Sequence, residues 1–203
     1  MKFNKLLVID LEATCWDGPD SQEQIGTSVY QKTQEIIECG IACISMRDKD
    51  KYEPKIIETR SIFVKPTIHP ILSDYCTKLT GITQEQIDYA GSFQIFCEEI
   101  TKYQSWFWAS WGSWDRNIMD SNCKKFTIPN PLNRKHLDIK LLYSIITGFE
   151  VSGLNDALIG LNMEFVGIQH SGKDDAMNTA RILIKLISTT RNLYKGLTIS
   201  QWV

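Results

Sequence analysis

Asp10 and Glu12 stand two residues apart at the end of the run Lys5-Leu6-Leu7-Val8-Ile9. Alternate residues of a strand point to one face, so the two carboxyl groups project together and Leu11 turns away. Two carboxylates side by side at the end of an apolar strand repel each other and lose hydration. A bound cation removes that cost, and oxygen donors suit Mg²⁺ or Mn²⁺. The competing reading leaves both acids in solvent at a strand end.

More chemistry comes from two places further on. Asp115 follows the text Trp111-Gly112-Ser113-Trp114 and begins a helix. The last helix opens with His170-Ser171-Gly172-Lys173-Asp174-Asp175. Ser171 is a good N-cap, and Asp174 sits where a capping-box partner reaches back. His170 and Asp175 are five residues apart, about 140° on a single helix at 3.6 residues per turn. They converge only if His170 lies in the loop before the helix, which a cap at Ser171 predicts. The competing reading of His170 is a loop histidine bonded to a carbonyl. His69 and His136 lack such context and read as structural or exposed.

The elements that must position these residues follow in order. Leu6 to Ile9 is a continuous apolar run, a strand buried on both faces of an α/β sheet. Residues 13 to 33 form an irregular loop with turn chemistry at Trp16-Asp17-Gly18-Pro19-Asp20. Glu35 to Met46 and Ile56 to Lys65 are two more strands, separated by the solvated turn Asp48-Lys49-Asp50-Lys51. Leu72 to Tyr89 holds two short helices, the first stopped by Gly81 and the second capped by Thr83. Ser92 to Gln104 is amphipathic, with Phe93, Phe96, Cys97 and Ile100 on one stripe. Trp106 to Trp111 is a strand, and a helix runs from Asp115 to about Lys125. His136 to Ile139 is a short strand that leads into a helix through Ile146. Further helices are expected over Gly153 to Met163 and up to Ile187, the latter buried through Ala176, Ala180, Leu183 and Ile187. Residues 188–203 read as a tail to a single domain over 1–187. Strands in succession followed by alternating elements indicate one mixed sheet with helices around it.

Composition narrows the function classes. The 203 residues fit one domain with a sizeable core, and 43% hydrophobic with 23% charged is ordinary for a globular protein. The net charge of −2 leaves no global basic field, so a nucleic acid must be held locally or through metal ions. Cys15, Cys39, Cys43, Cys76, Cys97 and Cys123 form no C-x-x-C pair. That argues against zinc and for reduced thiols in a cytoplasmic compartment, or a nuclear one in a eukaryote. No stretch has the roughly 20 apolar residues of a membrane span, and no signal-peptide pattern is expected at the N-terminus.

In this order, Asp10-x-Glu12, Asp115 and His170-x-x-x-x-Asp175 resemble the DEDDh 3′→5′ exonucleases, which have the RNase H-like (DnaQ-like) fold. The texts Asp-Leu-Glu-Ala-Thr-Cys-Trp, Leu-Thr-Gly-Ile-Thr-Gln, Trp-Gly-Ser-Trp-Asp and His-Ser-Gly-Lys-Asp-Asp are similar, more narrowly, to the ERI-1-like and KapD-like exoribonuclease group. The resemblance spans roughly residues 5–187. It implies a three-layer fold with a mixed five-stranded sheet flanked by helices. It also implies that Asp10, Glu12, Asp115 and Asp175 hold two divalent ions, Mg²⁺ with Mn²⁺ able to substitute, for an in-line displacement. His170 then takes the proton of the attacking water, as an imidazole's ordinary pKa allows. The expected product is a nucleoside 5′-monophosphate released from an RNA 3′ end.

Substrate contacts are expected around the same residues. Trp114 either stacks on the terminal base or closes the core at a strand end. The backbone of Ala13 and Thr14, beyond Glu12, is expected along the terminal nucleotide, where contact with a ribose 2′-hydroxyl favours RNA. Leu79 is either the other wall of a base pocket or ordinary core. Lys124, Lys125, Arg134 and Lys135 either guide the strand through its phosphates or form a solvated basic patch. A DNA exonuclease on the same fold and a catalytically silent RNA-binding scaffold remain the alternatives. Four converging carboxylates facing a polyanion argue against the scaffold.

Overall fold

Leu6 to Ile9 is buried on both faces because it lies in the middle of a five-stranded sheet. The computed structural model describes residues 4–17, 33–47 and 53–193, the last three in backbone only. Strand β1 (Lys5–Ala13) pairs antiparallel with β2 (Ile36–Ser45), and β2 pairs antiparallel with β3 (Lys55–Phe63). On its other edge β1 runs parallel to β4 (Phe107–Ser110), which runs parallel to β5 (His136–Asp138). The sheet order is β3-β2-β1-β4-β5.

The helices follow the chain. They are α1 (Asp74–Thr80), α2 (Gln84–Asp88), α3 (Phe93–Ile100), α4 (Trp114–Phe126), α5 (Ile139–Thr147), α6 (Leu154–Gly160) and α7 (Gly172–Leu193). Their starts are chemically marked. Ser73 caps α1 through the Cys76 amide, Thr83 and Gln86 form a capping box on α2, and Asp138 caps α5 through the Leu141 amide.

The period of two along β1 divides the core. Leu7, Ile9 and Leu11 pack with Cys39, Ile41 and Cys43 against α3 and α4. Leu6 and Val8 pack with Ala42 and Ile44 against α5, α6 and α7. Helix, sheet and helix therefore form the three layers expected. A smaller cluster seats α1 and α2 on Ile37.

Several boundaries differ from the sequence expectation. Helix α7 continues to Leu193, so it takes in part of the stretch expected as tail from residue 188. The amphipathic helix from Ser92 ends at Ile100 and finishes in the 3₁₀ turn Thr101–Tyr103. Helix α6 stops at Gly160, where Asn162 takes a positive φ of 54° and turns the chain out. The strand expected to reach Trp111 ends at Ser110, because Gly112 turns with φ 86°, a conformation open to glycine. Of the loop expected over 13 to 33, Ala13 belongs to β1, and residues 14–17 are irregular. Positions 18–32, the turn at Asp48-Lys49-Asp50-Lys51 and positions 194–203 lie outside the described residues.

Candidate active site

The pleat places Leu6, Val8, Asp10 and Glu12 on the face of β1 that meets α7. The first two are core, and the last two are the acids at its end. Across the antiparallel pair Asp10 faces Gly40 and Glu12 faces Glu38. A third acid, absent from the sequence expectation, therefore stands beside the pair.

Asp115 reaches the same spot from the other side. Within β1, strand β4 pairs with Leu6, Leu7 and Val8, so β1 runs on past it. The Leu11 N–H on that edge donates to Asp115 Oδ1 at 2.8 Å. The acid at the start of α4 is thereby tied to the strand between Asp10 and Glu12. Asp115 is 4% exposed, too buried for an acid without a task or a partner. Beneath it Ser110 Oγ donates to the Gly112 carbonyl at 2.9 Å and lies 2.9 Å from His136 Nε2. His136 is thus structural. So is His69, whose ring lies 2.9 Å from Thr33 Oγ1 and edge-on to Trp16.

The last two residues arrive on α7. His170 precedes the helix with φ 62°, an uncommon backbone conformation for a side chain of its size. Its amide donates to Asp175 Oδ2 at 2.8 Å. The predicted convergence of His170 and Asp175 is therefore present, joined through the backbone. Asp174 does reach back, but to the Ile168 amide at 2.9 Å, so it braces the preceding loop. Glu12, His170 and Asp175 each bring a ligand atom within 4.8 Å of the others.

Together Asp10, Glu12, Asp115, His170 and Asp175 line a cavity of about 360 Å³. Trp111, Trp114, Leu154 and Phe165 give it an apolar wall. Two other hollows are larger, about 550 and 740 Å³, but each has a single acid in its lining. Trp114 is 46% exposed at the cavity, which excludes the core reading of this residue.

The electrostatics follow from the crowding. Burial, then Asp115, Glu12, Asp175 and Glu38, hold the Asp10 carboxyl well above the usual range. Burial and the charge of Asp175 push Glu12 up to about 9. Asp115 and Asp175 rise to about 7, chiefly through burial, despite the amides of Leu11 and His170 that favour their charged forms. No lysine or arginine lines the cavity, and none of the four acids has an ion pair among the described residues. Four carboxyl groups lining one cavity with no cationic side chain suit a hard divalent ion, and Glu12 and Asp175, with His170, lie close enough to share one.

The other predicted contacts are spread out. Thr14 is buried. Its amide donates to the Glu35 carbonyl, its hydroxyl accepts the Glu35 amide, and its carbonyl takes the Gln34 side chain. The Ala13 carbonyl takes the Cys76 thiol at 3.7 Å, which sets α1, and with it half-buried Leu79, alongside. Lys124 and Lys125 lie at the C-terminal end of α4, roughly 15 Å from Asp115 at 1.5 Å per residue. The Lys125 ammonium donates to the Gln34 carbonyl. Arg134 borders the 740 Å³ hollow, and the Lys135 ammonium lies 4.9 Å from the Phe107 ring centre.

Over residues 7–183 the sequence matches the exonuclease family (RNase_T). The chain belongs to that family. It is 31% identical, over 91% of its length, to "ERI1 exoribonuclease 2" of Xenopus laevis. It spans 28% of that relative's own length. Its fold superposes on the nuclease domain of 3′hExo, a DEDDh family member solved bound to rAMP. The TM-score is 0.78 at 26% identity, with 92% of this chain and 93% of that one covered. A second similar structure is a 3′-exonuclease in "3'-end specific recognition of histone mRNA stem-loop". Its TM-score is 0.77 at 26% identity, covering 93% of this chain and 84% of that one. The family and the sheet order agree on the RNase H-like, DEDDh-type fold.

Proposed function

We propose that this chain is a 3′→5′ exoribonuclease that removes nucleoside 5′-monophosphates from RNA ends. The observation that carries the reading is the meeting of four cation-free carboxyl groups with a histidine in one cavity that has an apolar wall. Relatives named as exoribonucleases, and a similar structure bound to rAMP, support it.

Asp10, Glu12, Asp115 and Asp175 are the residues that would hold two Mg²⁺ ions, with Mn²⁺ as a substitute. When bound, such ions supply positive charge to the attacking and departing oxygens of an in-line displacement. Glu12 and Asp175 flank His170, so they would also fix where the attacking water enters. His170, exposed at the cavity rim, takes that water's proton as general base. Asp175 holds the His170 backbone, so the base is registered to an acid of the metal set.

Trp114 takes the terminal base by stacking. The Thr14 amide is already engaged, so the group here that meets a 2′-hydroxyl is a carbonyl lone pair of Ala13 or Thr14. Leu79 borders that nucleotide from α1. The basic residues Lys124, Lys125, Arg134 and Lys135 act on more distant phosphates.

Side-by-side digestion of matched RNA and DNA oligonucleotides in Mg²⁺ tests the reading. RNA shortened faster from the 3′ end is expected. Faster loss of DNA would make the chain a DNA exonuclease, and neither would leave a binding protein.

A further inference from the structure

Glu38 lies opposite Glu12 on the face of the sheet that meets α7, yet it is 3% exposed. A buried carboxylate without a cation needs strong hydrogen bonds. Among the described residues Glu38 makes no ion pair, and its two oxygens face different elements. Oε1 accepts the Ser61 hydroxyl of β3. Oε2 accepts the Gly172 amide at 3.1 Å. Gly172 is the first residue of α7, where a backbone N–H has no partner within the helix and favours negative charge.

The contact around that bond is backbone on backbone. A Cβ on Gly40 would lie 1.8 Å from the Gly172 carbonyl carbon. A Cβ on Gly172 would lie 3.1 Å from the Asp10 carbonyl oxygen. The start of α7 thus rests directly on β1 and β2, and glycine at both positions is what lets it. Close backbone packing resists approach, and a hydrogen bond adds a preferred direction to it. The Glu38 bond supplies the direction that the contact lacks.

What rides on that bond is half of the site. His170 lies two residues before Gly172, and Asp175 lies three after it. Asp10 and Glu12 come from the sheet that carries Glu38. We propose that Glu38 is a positioning residue for the reaction: it fixes α7, and with it His170 and Asp175, against the strand-borne acids. The proposal rests on the exoribonuclease reading for its activity readout alone.

Three measurements on the full chain test it: Gly172 amide exchange, calorimetric binding of Mn²⁺ alone, and steady-state cleavage of an RNA oligonucleotide. Glu38→Ala should speed Gly172 exchange and weaken Mn²⁺ binding by about 10–100-fold. It should also lower kcat by about 10²-fold, the scale of a 1 Å misplacement, with KM little changed. Glu38→Gln keeps an oxygen for Gly172 and a group for Ser61, so it should restore slow exchange and most of kcat. If Glu38→Gln is as impaired as Glu38→Ala while Gly172 stays protected, the charge matters and the positioning role is overturned. Wild-type exchange and cleavage in Glu38→Ala overturns it equally. Should Glu38→Ala fail to fold, Ser61→Ala removes one hold on the carboxylate and should give a milder form of the same changes; none would contradict the proposal. If the wild-type chain cleaves no RNA, the functional reading fails, and exchange and Mn²⁺ binding still decide the role of Glu38.

Discussion

Asp175 Oδ2 accepts the backbone amide of His170 at 2.8 Å, so the proposed metal ligand and the proposed general base are held in one ring of chain. A carboxylate and an amide oxygen can both accept that bond. Asp175→Asn should therefore leave the loop in place, lose Mn²⁺ binding and abolish cleavage. Asp115→Asn should behave likewise, because Oδ1 can still take the Leu11 amide. Calorimetry and a cleavage assay on each variant check this. Turnover near wild type in Mg²⁺ would remove that residue from the ligand set.

The same variants should stabilise the metal-free chain. Each removes one charge from a crowded, cation-free cluster. In EDTA at pH 8 the thermal midpoint should rise, by about 2–4 °C for each kcal/mol relieved in a chain of this size. A midpoint lowered in both neutral variants would mean that the acids attract something within the protein.

Stability against pH follows from the direction of the shifts. Folded Glu12 titrates near 9, and Asp115 and Asp175 near 7, against ordinary values of 4.5 and 3.8. The folded metal-free chain therefore holds these protons more tightly than the unfolded one. Their contribution to stability is present in full below the ordinary carboxylate range and is lost as pH rises through the folded values. In EDTA the midpoint should fall from about pH 5 to pH 9, and saturating Mg²⁺ should flatten that fall. A metal-free chain that gains stability over this window would contradict the shifts.

Much of this site was legible because its geometry is local. Asp10 and Glu12 share a face by the period of the strand, and Ser171 placed His170 outside the helix that carries Asp175. Glu38 lies outside the four-acid motif, although an acid in the middle of Ile36-Ile37-Glu38-Cys39 is itself a signal, since a charge in a fully buried strand must be held. Its partner Gly172 lies 134 residues away, and only the packing of α7 on the sheet supplies it. The same is true of Trp111, Leu154 and Phe165, which come from separate elements and meet as the cavity wall only in the fold. The spacing from Ser171 suits Asp174 to a capping box, but the fold of the loop before α7 offers it the Ile168 amide instead.

Trp114 carries the prediction for binding. Loss of one stacked base is worth about 1–3 kcal/mol. Trp114→Ala should therefore raise KM by roughly 5–150-fold, and Trp114→Phe should recover most of it. An unchanged KM for both would place the terminal base against Leu154 and Phe165 instead.

His170→Ala separates the base from the ligands. Turnover should fall by roughly 10²–10⁴-fold while calorimetric Mn²⁺ binding persists. Lost Mn²⁺ binding would make His170 a metal ligand, which its proximity to Glu12 and Asp175 also permits.

The most direct test of the central claim is digestion of a 5′-labelled single-stranded RNA by the wild-type chain, in Mg²⁺ and in EDTA, with the released products identified. A ladder that shortens from the 3′ end, nucleoside 5′-monophosphates as product, and no reaction in EDTA are predicted. Internal cuts, nucleoside 3′-monophosphates or full activity in EDTA would contradict it.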